Sequence, residues 1–204
     1  MKSIAILGAG GHGAVVAETA LSCGWSKITF FDDNADISQK KIKIEGDSRL
    51  LEKHVKKFDG IHIAIGDNDS RMEKILFFQS LGINSEIIVH PSAVVSPSAI
   101  VQSGAALLAG VVVCANAKIG YGTILNTSST IDHDCNIGKG CHISPGVNIA
   151  GNVVIGDNTW VGIGSSVIQN ITIGSSVVIG ANSAVIENIE DKKTAVGVPC
   201  KVIN

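Results

Sequence analysis

The sequence predicts two architectures joined end to end: an α/β nucleotide-binding module over residues 1–90 and an all-β parallel solenoid over 91–204. Three observations carry this reading. Aromatic residues are only 4% of the 204 positions, while Ile and Val supply 29 and 21. That β-branched bias fits many short strands stacked closely. Charge also changes abruptly: residues 1–92 hold 11 Lys/Arg and 12 Asp/Glu, residues 93–188 only 2 and 4. Finally, from Ala93 to Asn188 every third position of sixteen consecutive six-residue blocks is Val, Ile or Leu, from Val95 through Ile131 to Val185.

In the first module, Lys2–Leu7 is an apolar strand that runs into Gly8-Ala9-Gly10-Gly11-His12-Gly13, a G-x-G-x-x-G loop. A helix from Ala14 to Cys23 follows and stops at Gly24; the next strand, Lys27–Phe31, leads to Asp32-Asp33. This order is a Rossmann-type βαβ unit, in which glycines admit a phosphate to the helix N-terminus and an acid reaches a ribose hydroxyl. A strand around Ile42–Ile44, a helix Arg49–Lys57 and a strand Gly60–Ile65 ending in Gly66-Asp67-Asn68 come next. A helix Ser70–Leu81 and a short strand Glu86–Val89 close the module. Such a length provides one mononucleotide-binding half, so a nucleotide or nucleotide-sugar fits better than NAD.

In the second module a six-residue period means one short strand and one corner per repeat, with the aliphatic residue inward. Three sides close a triangular coil of eighteen residues. Gly120, Gly138, Gly156 and Gly174, each eighteen apart, should stack at about 4.8 Å per coil, making a prism roughly 25 Å long.

Composition also excludes partners. A net charge of −2 lacks the basic face of a nucleic-acid binder. No apolar run approaches the roughly 18 residues of a membrane span. Five cysteines without a CxxC pair, and no export signal, point to a reducing cytoplasm. Cys135 and Cys141, six residues apart, fall on adjacent sides of a coil and read as small buried hydrophobes. Only His133 and His142 lie within the repeats, with His90 just before them, so no three-ligand metal site is expected.

Taken in order, GAGGHG, FDD, AIGDN, the repeat segment ILNTSSTIDHDCNIGKGCHISPG and the terminal GVPCKV resemble one family over essentially the whole chain. It is the sialic acid O-acetyltransferase / nucleotide-sugar N-acetyltransferase family of hexapeptide-repeat acyltransferases, whose best-described branch acetylates UDP-4-amino-sugars such as the bacillosamine precursor. The resemblance implies a left-handed β-helix, a homotrimer, and acetyl-CoA bound between adjacent prisms. It implies His133 as general base with Asp134 beside it, where the bacillosamine branch has Glu. It places the nucleotide-sugar at Gly11, His12, Gly13, Asp32, Asp33, Gly66 and Asn68, acetyl-CoA at Gly151, Gly162 and Lys201, and His142 on the acetyl-CoA or acceptor site.

Acetyl transfer from a thioester needs one proton removed from the attacking group, and histidine is the natural base. Asp132-His133-Asp134 stands out in a nearly charge-free segment, and its carboxylates should raise the histidine pKa. Neighbours on a regular strand diverge, so Asp134 can reach His133 only where a corner breaks the alternation. An oxyanion would want a backbone N–H, with Gly146 and Gly151 both available. His142, nine residues from His133, projects from a different side of the prism; the two share a site only across a subunit boundary. Trp160 reads as a packing or exposed ring. The leading function is N-acetylation of the 4-amino group of a nucleotide-activated sugar for surface glycan, UDP-linked by preference, by direct attack. Sialic acid O-acetylation and a non-catalytic nucleotide-sugar-binding subunit are the alternatives.

Overall fold

A computed structural model describes residues 1–34 and 42–204. The first module is a four-stranded parallel sheet. Strands β1 (Ser3–Leu7), β2 (Lys27–Phe31), β3 (Ile44–Gly46) and β4 (Gly60–Ile63) lie in the order β3-β2-β1-β4. Helices α1 (Gly11–Ser22), α2 (Ser48–His54) and α3 (Asn68–Ser80) connect and cover them, and α2 runs into a 3₁₀ turn at Val55–Lys57. The central strand β1 is fully enclosed, with Ile4, Ala5 and Ile6 at 0% exposure, as a parallel sheet covered on both faces requires. Among the described residues no helix is long and apolar enough to cross a membrane.

The second module is the β-helix: a left-handed triangular prism whose three flanks are parallel ladders of two-residue strands. Flank one carries Ala106–Leu107, Ile124–Leu125, His142–Ile143, Trp160–Val161 and Val178–Ile179. Flank two includes Val112–Val113, Thr130–Ile131, Asn148–Ile149 and Ser166–Val167; flank three includes Ile100–Val101, Lys118–Ile119, Asn136–Ile137 and Val154–Ile155. Partners within the repeats are eighteen residues apart, for example His142 against Trp160 and Trp160 against Val178. The third residue of each block points inward, and Leu107, Val113, Ile131, Ile143, Val161 and Val185 are all at 0% exposure in one continuous core. The four glycines at period eighteen do stack. A Cβ on Gly120 would collide with the carbonyl of Gly138, and one on Gly156 would come within 2.6 Å of the Gly174 carbonyl carbon. They are glycines because successive coils approach too closely there for a methyl group.

The strand expected at Glu86–Val89 changes partners. It is reduced to β5 (Ile88–Val89), which pairs with Ala106–Leu107 as the first rung of flank one and not with the sheet of the first module. Four parallel strands therefore form that sheet without it. At the far end Thr194–Val196 adds a parallel rung on Val178–Ile179, and Lys201–Val202 folds back antiparallel to finish the flank.

From Gly104 to Asn182 each corner turns through one residue with φ between +53° and +73°. After flank two the column is Asn116, Asp134, Asn152 and Asn170; after flank three it is Gly104, Gly122, Gly140, Asn158 and Ser176. Asn and Asp tolerate this left-handed region better than most residues. Side-chain bonds run along the second-flank column, from Asn116 to Asp134 (3.0 Å) and from Asn152 to Asn170 (2.8 Å). After flank three the lower corners are glycines because α3 docks on them. A Cβ on Gly122 would stand 2.7 Å from Ile75 Cδ1, and one on Gly140 2.5 Å from Met72 Cγ.

Candidate active site

The glycine loop splits into two roles. Gly8, at φ +110°, faces the Ala64 carbonyl at a distance that leaves no space for a side chain, and Gly13 packs its Cα against the Gly8 carbonyl. Gly10 and Gly11 have open space around them. Gly10 caps α1 without a side-chain hydrogen bond, so the helix N-terminus keeps free donors of the kind that suit a phosphate. Gly13, expected to touch substrate, is needed for helix–strand packing. The two acids also have structural work. Asp32 accepts from the backbone N–H of Ala9 (2.6 Å) and of Asn34 (2.8 Å), tying the end of β2 to the loop. Asp33 binds Lys74 (2.6 Å) and both the backbone N–H and hydroxyl of Ser48. Its pKa is lowered, with those bonds overcoming its partial burial.

The loop carries His12 to within 6.5 Å, ring to ring, of His142 on flank one. His12 Nε2 is buried without a hydrogen-bond partner. His142 is stacked on Trp160, with centroids 6.1 Å apart and planes 10° apart. The Asn126 amide N–H donates to His142 Nε2 (3.1 Å), and the Trp160 indole donates to Ser144 (2.8 Å). Desolvation first, then the neighbouring histidines and Arg71 for His12 and Arg71 alone for His142, lowers them to about 3 and about 4. Both are therefore neutral imidazoles near pH 7. Beside His142 opens a cavity of about 550 Å³ between the modules. Gly66, Asp67, Asn68 and Asp69 form one wall; His142, Trp160, Asn158, Ser176 and Val178 form the other.

His133 lies elsewhere, on the corner after flank two, so within one chain it does not share this cavity. Asp134 at φ +59° breaks the strand alternation, and its carboxylate accepts from His133 Nδ1 at 2.8 Å. The shorter acid reaches the ring because the corner turns it back. With Nδ1–H committed, Nε2 is left as the basic lone pair. The bond to Asp134, then the charge of Asp132, raises the His133 pKa; its side chain is 58% exposed. One coil above, Gly151 leaves space for the ring: a Cβ there would sit 2.6 Å from Nε2.

The other expected contacts divide. Gly66 is open, whereas Asn68 is engaged on both sides, donating to the Asn158 carbonyl and accepting from Arg71. Gly162 is a close-approach glycine, whose Cβ would meet the Ile179 carbonyl at 2.6 Å. Lys201 is paired with Glu187 (3.2 Å), both exposed. The five cysteines are free, with Cys135 and Cys141 buried. Among the described residues no group of three His, Cys, Asp or Glu side chains could hold a metal. Sequence reasoning missed Arg71, Asn126 and Asn158; it read Trp160 as a packing or exposed ring, and the ring is exposed while stacked on His142. Only Trp160 gave a signal, as one of two aromatics in the repeats.

Comparison with known proteins follows the same division. The model for the PglD N-terminal domain matches residues 3–75, and that for bacterial transferase hexapeptide repeats matches 152–187. The acetyltransferase domain of PglB from Neisseria gonorrhoeae, solved with acetyl coenzyme A, is 37% identical. The match covers 99% of each chain with a TM-score of 0.94. PerB from Caulobacter crescentus, solved with CoA and GDP-perosamine, is 35% identical over 100% of this chain and 98% of its own, also with a TM-score of 0.94. WeeI from Acinetobacter baumannii shares the fold over 100% of both chains at 22% identity and a TM-score of 0.86. No curated protein sequence matches.

Proposed function

The chain belongs to the nucleotide-sugar N-acetyltransferases of the hexapeptide acyltransferase family, and from that membership we propose the following reaction. Acetyl-CoA donates its acetyl group to the 4-amino group of a nucleotide-activated sugar, by direct attack, with His133 as general base. The observation that carries the acceptor side is the cavity where the glycine-loop module meets His142 and Trp160. Residues 1–90 hold the nucleotide-sugar, with the open Gly10–Gly11 edge and the α1 N-terminus toward the diphosphate. Residues 91–204 supply the acetyl-CoA groove and the base.

The neutral amine attacks the thioester carbonyl carbon, and the carbonyl oxygen becomes an oxyanion. His133 Nε2 takes the amine proton, the C–S bond breaks, and CoA leaves as the thiol once it regains a proton. The backbone N–H of Gly151, directly over the imidazole, is the donor best placed to receive the oxyanion. Because His133 and the cavity lie on different sides of one prism, the reaction needs a neighbouring subunit to bring His133 to the cavity, which is the argument for a homotrimer. Exposed Ile163, Ile168 and Ile186 on the prism favour such burial.

A UDP-linked acceptor is our first choice, from the family resemblance; GDP is the next, because PerB was solved with GDP-perosamine. Thiol release from acetyl-CoA with UDP-, GDP- and dTDP-4-amino-sugars and with free and CMP-linked sialic acid tests the reading. Turnover with one nucleotide-amino-sugar is expected. Turnover with a sialic acid alone overturns it in favour of O-acetylation.

A further inference from the structure

Arg71, in the second turn of α3, is 1% exposed and heads the largest fully buried side chains. Its hydrogen bonds reach five backbone carbonyls and one amide oxygen, none of them a carboxylate. Nε donates to Gly122 (2.8 Å); Nη1 donates to Ile65 and Gly66 (3.0 Å each). Nη2 donates to Asn68 Oδ1 (2.8 Å), Gly140 (2.8 Å) and Cys141 (3.2 Å). One guanidinium thus ties the loop Ile65–Asn68 to the left-handed corners of two successive coils, Gly122 and Gly140. Cys141, its last partner, immediately precedes His142.

A buried cation that bonds no carboxylate, with only the nearby charge of Asp67 to offset it, is costly to desolvate, and a buried side chain whose only task was packing would be cheaper if apolar. The planar fork of five donors matches this set of carbonyls, which an ammonium could not span. We propose that Arg71 is the positioning residue of the acceptor site. It fixes the distance between the Gly66–Asn68 wall and the His142–Trp160 wall by holding the first module in register with the third-flank corners. Its charge also helps keep His12 and His142 unprotonated. The inference rests on reading that cavity as the acceptor's seat.

Two variants separate geometry from charge. Arg71→Lys keeps the cation with only three donors; Arg71→Met removes both. Fluorescence-monitored melting and amide hydrogen exchange report without any substrate. In Arg71→Lys, exchange at Gly122 and Gly140, whose amides bond the Ser103 and Tyr121 carbonyls, is expected to rise about tenfold or more, with Ile143 and Val161 unchanged as internal references. In kinetics, the KM for the nucleotide-sugar rises about tenfold while that for acetyl-CoA stays within about twofold, since misplacing a binding wall by 1 Å has effects of this size. Wild-type exchange and acceptor KM in Arg71→Lys would overturn the proposal. So would equal changes in both KM values, the mark of a merely structural role. Should Arg71→Met fail to fold, the lysine variant still decides. Should the wild type acetylate none of the sugars, the functional reading fails while the exchange measurement still judges Arg71.

Discussion

His133 and His142 are nine residues apart on one solenoid, yet their surroundings drive them in opposite directions. Both follow from what lies against a corner of the prism. The corner after flank two carries a column of Asn and Asp; within one chain the His133 side chain is 58% exposed, and a carboxylate raises its pKa. Next to the corner after flank three, α3 docks on glycines, Trp160 stacks, and burial lowers His142 to about 4. A repeat with one backbone geometry thereby offers a proton acceptor on one side and a fixed neutral ring on the other. The neutral ring suits orientation of a substrate; the basic one suits proton removal.

This contrast can be broken at four points. The largest effect is expected from His133→Ala, which should lower kcat/KM by about 10²–10⁴-fold with melting unchanged, because the side chain is exposed. Undiminished turnover sinks its role as base. Gly151→Ala adds only a methyl group, at a position whose backbone accepts it, but directly against Nε2. Activity should fall about 10- to 100-fold while the folded state persists; full activity would mean that Nε2 is not the working atom.

On the dry side, Trp160→Ala opens His142 to water. Desolvation is the main cause of its low pKa, so the NMR titration of that imidazole should move up from about 4 toward 6.5. The acceptor KM should rise several-fold. An unmoved titration would credit the first module alone with excluding water. The smallest change is expected from Asp134→Asn. A base works only when deprotonated, and the raised pKa of His133 puts the acid limb of kcat/KM above 6.5. Removing the carboxylate should shift that limb to lower pH, and a shift in the other direction contradicts the assignment.

Much of this was legible in the residues. Sixteen inward aliphatics without an insertion give the solenoid and its core, and the eighteen-residue glycine period gives the stacking. The Asp134–His133 contact was readable only in part. It depends on a left-handed residue at the sixth position, and the clue was the column of Asn and Asp at that place. Arg71 was not legible, because its partners are main-chain carbonyls up to 70 residues away, and a carbonyl has no side-chain signature. Nor was the partner of Ile88–Val89: a two-residue apolar strand carries no information about which ladder it joins. Asp33 illustrates a different limit. An acid at the end of a second strand fits ribose recognition, but Lys74 and Ser48 are also within its reach.

The antiparallel strand Lys201–Val202 has a consequence beyond the fold. A solenoid of parallel rungs ends in a row of unsatisfied N–H and C=O groups, a surface on which any extended chain can add. Flank one would expose such a row at Thr194–Val196, and a second molecule presenting its own first rung could continue the ladder. By reversing direction there, the hairpin occupies that row with a strand of opposite sense, so the parallel ladder of flank one stops at Thr194–Val196.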